Sequence, residues 1–193
     1  MKKDSLTLQE KKSLLKVARQ TLEMGLRGEN LPPLDNTTQT PLLQADGVCF
    51  VTLTIDGKLR GCIGALEPYQ SLVEDVREHA LAAAQKDYRF PTVRPEELDE
   101  IQIEISRLTL PAPLEYIDAD DLLKKLRPNV DGVILKDGHR RATFLPQVWE
   151  QLPDPRAFLS HLCQKMGEDA DLWQRKNLDV LIYQVDEFRE SRT

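Results

Sequence analysis

The residues of this 193-residue sequence that invite a chemical reading lie in the run Leu59-Arg60-Gly61-Cys62-Ile63-Gly64. Strand interiors normally avoid glycine, and a glycine there marks a bulge or the close approach of another group. Asp56-Gly57 just before the run is a strong hairpin signal between two strand-like segments, 47–55 and 58–66. A two-residue turn there pairs Ile55 with Lys58, Leu53 with Arg60 and Val51 with Cys62. That register predicts Arg60 and Cys62 on one face, about 7 Å apart. A guanidinium beside a thiol favours the thiolate, and flanking glycines leave room for a small molecule or another backbone. The alternative is plainer: Cys62 as a small buried hydrophobe and Arg60 as a surface cation.

Glu104 is the second candidate. Ile101, Ile103 and Ile105 alternate with Gln102, Glu104 and Ser106, so Glu104 lies mid-strand on a polar face. A carboxylate there requires exposure or a partner. Pairing with Arg60 or Arg89 and proton transfer beside Cys62 are both open. His161 precedes Cys163 by two positions on a helix, which points the two side chains apart and makes them a poor metal pair. His161 could serve Cys62 as a general base or simply face solvent. His79 falls near an alanine-rich helix face and His139 in a tight turn, neither with a neighbour that suggests chemistry. Lys165 is placed to neutralise carbonyls at a helix C-terminus.

No phosphate loop, zinc-protease motif, nucleophile elbow, dinucleotide fingerprint or C-x-x-C pair occurs, so neither a metal nor a cofactor is expected. Three scattered cysteines predict no disulfide, although the register above sets Cys49 diagonal to Cys62.

The positioning elements follow from pattern. Thr7-x-x-Glu10 reads as a capping box before Leu8, Leu15, Ala18, Leu22 and Leu26, with Gly25 and Gly28 closing the helix. A proline-bearing loop (Pro32, Pro33, Pro41) leads to the first hairpin. Ser71-x-x-Glu74 reads as a second capping box, opening a helix to about Asp87, and Tyr88-Arg89-Phe90-Pro91 is the exit turn. Asp118 caps a short helix to Leu126, and a second hairpin turns at Asp137-Gly138. Asp154-Pro155 starts the helix of Phe158, Leu159, Leu162 and Met166, stopped by Gly167, and the last strand is 180–185. The two hairpins echo each other, each beginning Asp-Gly-Val and carrying an arginine three residues after the turn glycine. An internal duplication or chance would account for that.

With 40% hydrophobic and 30% charged residues the chain reads as one globular α+β domain over residues 1–193, long enough for a sizeable core. A net charge of −6 argues against nucleic-acid partners and anionic membrane surfaces. The segment from Met1 to Thr7 has two lysines without a following apolar stretch, and nothing reaches the length of a membrane span, which makes the cytoplasm the expected location.

The hexapeptide 59–64 resembles the signature of the AMMECR family, known in prokaryotes as AmmeMemoRadiSam system protein A. Asp87-Tyr88-Arg89-Phe90-Pro91, Glu104-Ile105-Ser106, Asp131-Gly132-Val133, Phe144-Leu145-Pro146-Gln147-Val148 and Leu162-Cys163-Gln164-Lys165 follow in the family's order, so the resemblance covers most of the chain. The chain departs from the family at Thr92, Ala142 and Met166, where proline, glycine and alanine are usual. The resemblance implies two similar strand-and-helix units sharing one curved, barrel-like, mostly antiparallel sheet with helices packed outside. It further implies company with a Memo-type protein and a radical S-adenosylmethionine enzyme.

Two functions stay open. The chain could be a cysteine-dependent enzyme using Cys62, with Arg60 activating it and Glu104 or His161 handling protons. It could instead be a non-catalytic binding module, in which Arg60, Gly61, Gly64, Arg89 and Phe90 form a recognition surface.

Overall fold

A computed structural model describes residues 5–35 and 39–191, so the two N-terminal lysines lie outside the described residues. The chain divides into two compact units. One comprises residues up to Thr109 together with those from Asp186 on, and the other is Leu110–Val185.

The first unit opens with α1 (Leu8–Leu26), where the capping box forms as the sequence predicts: Glu10 N–H donates to Thr7 Oγ1 at 3.3 Å and Thr7 N–H to Glu10 Oε2 at 2.7 Å. The helix runs through Gly25, at which a Cβ would meet the Leu81 side chain. After the short α2 (Pro41–Gln44) come β1 (Val48–Ile55) and β2 (Lys58–Gly64), joined at Asp56-Gly57. Asp56 (φ 49°) and Gly57 (φ 74°) both have positive φ, the signature of a type I′ turn. Next are α3 (Leu72–Gln85) and β3 (Ile101–Leu108). Ser71 stands at the N-cap of α3 but makes no capping hydrogen bond, so the second capping box does not form. The sheet has the order β2-β1-β3-β8, with β8 (Val185–Arg189) supplied by the returning chain. Leu14, Ala18 and Leu22 of α1, Val76, Ala80 and Ala83 of α3, and Val51, Leu53, Ile103 and Ile105 of the sheet form one buried core. Alternation sends Phe50, Thr52, Gln102 and Glu104 to the opposite face, where they are half-buried.

The second unit has β4 (Ala112–Pro113), α4 (Ala119–Lys125), β5 (Gly132–Asp137), β6 (Arg140–Phe144), α5 (Pro155–Met166), α6 (Leu172–Arg175) and β7 (Asp179–Tyr183). Its sheet order is β4-β7-β5-β6. Asp118 and Asp154 cap α4 and α5 as expected. The turn lies one residue later than the sequence suggests: Asp137 pairs with Arg140, leaving Gly138 (φ 58°) and His139 as the central residues. The core centres on Trp149 stacked on Phe158 at 3.7 Å between ring centroids, with Leu135, Leu162, Trp173 and Val180 around them.

Two antiparallel sheets with helices confirm a mixed helix-and-strand fold, but the expectation of one shared, barrel-like sheet is corrected. The hairpins belong to separate sheets with separate cores, and neither sheet closes. The physical reason lies in the partners of the hairpins. In each unit the first hairpin strand is an interior strand, flanked by its hairpin mate and by a strand that follows a helix, β1 by β2 and β3 and β5 by β6 and β7, so each hairpin builds its sheet from strands other than those of the second hairpin. The hairpin echo is therefore real as topology: hairpin, helix, then a third strand beside the first. The last strand is also two, split between Tyr183 and Val185.

Candidate functional site

The register of β1 with β2 shifts between Leu53 and Thr54: Leu53 pairs with Gly61 and Thr54 with Leu59, so Arg60 has no partner and is a bulge. This overturns the expected register, in which Leu53 paired with Arg60 and Val51 with Cys62. Past the bulge, Gly61 faces the core opposite Leu53, while Cys62 stands opposite Thr52 on the outer face, with Thr52 Oγ1 donating to Cys62 Sγ at 3.2 Å. Cys49 pairs with Arg107 and is fully buried on the core side, so it is not diagonal to Cys62, and all three cysteines are free.

The guanidinium of Arg60 turns to the loop after α3. It makes a two-pronged pair with Glu97 (Nε to Oε1 2.8 Å, Nη2 to Oε2 3.1 Å), and its Nη1 donates to the Pro91 carbonyl at 2.8 Å. That grip holds the Glu97 carboxyl below its usual range. The cation beside Cys62 is instead Arg89. Buried Asp87 accepts the Cys62 backbone N–H at 2.8 Å and is clasped by Arg89 (Nη2 to Oδ2 2.7 Å, Nε to Oδ1 2.9 Å), whose Nη2 also donates to the Cys62 carbonyl at 3.4 Å. The Arg89 hydrogen bonds, reinforced by the two backbone donors and opposed by burial, hold the Asp87 carboxyl far below the usual carboxylate range. Arg89 lies over the ring of Phe90 at 5.5 Å.

The glycines have structural occupants. A Cβ at Gly61 would collide with the Ala83 carbonyl oxygen in the last turn of α3, and one at Gly64 with the Phe50 ring and the Cys49 carbonyl. The room read from the sequence as space for a ligand is filled by the protein's own helix and ring.

Glu104 does join Cys62 in one row. Thr52 is the cross-strand partner of both Cys62 and Glu104, and Glu104 hydrogen-bonds Glu187 on β8, so a thiol, a hydroxyl and two carboxyls cross the four strands of the outer face. Burial, then the charge and hydrogen bond of Glu187, push the Glu104 carboxyl up, against a smaller lowering by Arg189. Neither Arg60 nor Arg89 pairs with it. His161 lies on α5 in the second unit, exposed. Lys165 donates to the Thr143 carbonyl at 3.0 Å rather than to its own helix end. Neither a cavity of about 560 Å³ lined by Lys11, Arg19, Gln102 and Glu190 nor one of about 360 Å³ lined by Leu14, Met24 and Val73 is lined by Cys62, Thr52 or Glu104.

Thr52, Asp87, Glu97 and Glu187 were not candidates from sequence. Asp87 opens the quoted run Asp87-Tyr88-Arg89-Phe90-Pro91, and a carboxylate two residues before an arginine at a helix exit was the available signal. His79 was set aside, yet its Nδ1 is 3.1 Å from Asp75 Oδ2, one helical turn back on α3. The i, i+4 spacing of Asp75 and His79 would have revealed it.

Two open antiparallel sheet units, one bearing a cysteine-centred row of polar groups, define an α+β protein outside the common catalytic motifs. A family model described as AMMECR1 matches residues 15–188, and the chain belongs to the AMMECR1 family. A protein of Methanothermobacter thermautotrophicus is 40% identical over 191 residues, covering 98% of this chain and 99% of its own length. One from Methanopyrus kandleri is 37% identical, covering 97% and 91%. The crystal structure of the uncharacterized protein PH0010 from Pyrococcus horikoshii superposes with a TM-score of 0.73 at 32% identity, covering 92% of this chain and 90% of that one. Among the described residues no helix is long and apolar enough to cross a membrane.

Proposed function

We propose that the outer face of the first sheet is the working surface of a cysteine-dependent enzyme, with Cys62 as nucleophile and Glu104 as proton donor. The supporting observation is the row in which Thr52 stands opposite both residues and touches the Cys62 sulfur. Two strand spacings, about 10 Å, separate the backbones that carry the thiol and the carboxyl, enough for a small electrophilic substrate to lie across Thr52. A carboxyl pushed up by burial and Glu187 keeps a proton to higher pH than an ordinary glutamate, which suits it to protonate the oxyanion formed when the Cys62 thiolate, its proton released to solvent, adds to the substrate. Arg89 and Asp87 hold the Cys62 backbone in place, and Arg60 positions the loop after α3. His161 is not needed by this reading. The family model spans both units, and on that basis residues 1–193 act as one functional domain. The family resemblance supports a working place beside a Memo-type protein and a radical S-adenosylmethionine enzyme.

A second reading, a non-catalytic binding module using the same surface, is favoured by one observation: Arg60 is saturated by Glu97 and loop carbonyls, so it does not activate the thiol. Limiting iodoacetamide applied to native protein between about pH 5 and 9, with modified peptides mapped by mass spectrometry, separates the two. Cys62 is expected to react well ahead of buried Cys49 and Cys163, and Glu104→Gln to change the pH profile of that reaction. If Cys62 reacts no faster than the others, the enzyme reading falls and the binding module replaces it.

A further inference from the structure

On the core side of the first sheet, away from the row just described, lies a second cluster. Cys49 is the second residue of β1, and Asp75 and His79 stand one turn apart on α3 facing it. One donor atom from each lies within 4.8 Å of the others, and all three residues are buried, with relative exposures of 0%, 0% and 5%. Asp75 Oδ2 accepts the Cys49 backbone N–H at 2.8 Å and sits 3.1 Å from His79 Nδ1. Its other oxygen, Oδ1, is buried with no hydrogen-bond partner. A carboxylate oxygen with no donor is costly in a protein interior, and a cation held against it would offset that cost.

We infer that Cys49, Asp75 and His79 bind a divalent transition-metal ion of the zinc type, the Asp75 carboxylate, the Cys49 thiolate and one His79 nitrogen being its protein ligands. The donor set fits: one thiolate, one imidazole and one carboxylate are the three ligand types zinc takes, and three protein ligands leave a fourth position of a tetrahedron. Binding at Cys49 breaks the S–H bond, forms a sulfur–metal bond and releases that proton to solvent. Because all three ligands are interior, the ion enters as the chain folds and ties β1 to α3.

The test uses the untagged full chain, stripped with a chelator under denaturing conditions and refolded with Zn²⁺ or Co²⁺. The expected result is one equivalent of metal per chain by elemental mass spectrometry, with a thiolate-to-cobalt charge-transfer band that persists in Cys62→Ser and Cys163→Ser. Cys49→Ser, Asp75→Asn and His79→Gln should each weaken Zn²⁺ binding by on the order of 100-fold or more, beyond the loss typical of groups that merely support a ligand. A folded wild-type chain that takes up cobalt without a thiolate band, or takes up neither metal stoichiometrically, overturns the inference. So does a folded Cys49→Ser chain that binds as tightly as wild type. Should the ligand variants not fold, the cobalt spectra of wild type, Cys62→Ser and Cys163→Ser decide the matter alone.

Discussion

Asp87 holds the backbone amide of Cys62, with its Oδ2 2.8 Å from the Cys62 nitrogen, so the cysteine at the centre of the candidate site is fixed through its main chain by a buried carboxylate outside its own strand. Arg89 completes the clasp. The conformation of β2 at Cys62 thus depends on the ionised form of Asp87.

Replacing Asp87 with asparagine should therefore destabilise the fold by about 1–3 kcal/mol at neutral pH, the range for a buried hydrogen-bonding group that loses its partner. The folded-state pKa of Asp87 is depressed, so its stabilising contribution is present above the unfolded value near 3.9 and is lost as the pH falls toward the folded value. Denaturant titrations of the wild type and Asp87→Asn should show a stability gap that narrows below about pH 4. A gap that is unchanged there would mean that the charge of Asp87 is not what holds Cys62.

Gly61→Ala should cost about 1–3 kcal/mol through overpacking, because the added methyl group meets a backbone carbonyl of α3 that cannot swing aside as a side chain would. The same substitution at Gly57, where no atom lies in the way but φ is 74°, would act through backbone strain alone. Thermal melts of the two variants, with a crystal structure of Gly61→Ala to look for a displaced α3, check this. A Gly61→Ala protein as stable as wild type would remove the packing explanation.

Glu104→Gln should stabilise the protein at neutral pH, by a few tenths to about 1 kcal/mol, the scale of cross-strand pairs. The wild-type carboxyl has a raised folded-state pKa, so its stabilising share is complete below the unfolded value near 4.3 and lost as the pH rises through the folded value. The benefit of the substitution should accordingly be larger at pH 7 than near pH 4, read as the difference in melting temperature. An amide that destabilises at pH 7 would show that the Glu104–Glu187 pair is held together by something other than a shared proton.

Much of the fold was legible because the signals were local. Thr7-x-x-Glu10, Asp118, Asp154-Pro155 and Asp56-Gly57 act within a few residues of themselves, and each forms as its chemistry dictates. The isoleucines of β3 show their alternation because one face packs on helices. The site was only half legible. Cys62 and Glu104 could be named from type and position, but their shared row depends on the register on both sides of β1, and a single bulge at Arg60 reversed the face assigned to its neighbours. Arg60 to Glu97 spans 37 residues and Cys49 to Asp75 spans 26, separations over which one sequence carries no pairing signal. Nor could it show that two hairpins with the same opening would each complete a sheet of its own.

The return of the chain at β8 carries a consequence for the order of synthesis. The second unit is one continuous stretch, Leu110–Val185, whereas the first is closed only when residues from Asp186 on come back to it. Lys11 Nζ on α1 meets Asp186 at 2.6 Å, Arg19 grips Glu190, and the Glu190 amide donates to the Ile103 carbonyl at 3.0 Å. During synthesis, therefore, the first unit, most of which precedes the second along the chain, is completed after it. The Cys62 face acquires its fourth strand, and Glu104 its partner Glu187, only after the whole second unit has been made. Until then β3 is an open edge, able to pair with another strand, and closure by β8 both completes the polar row and removes that hazard.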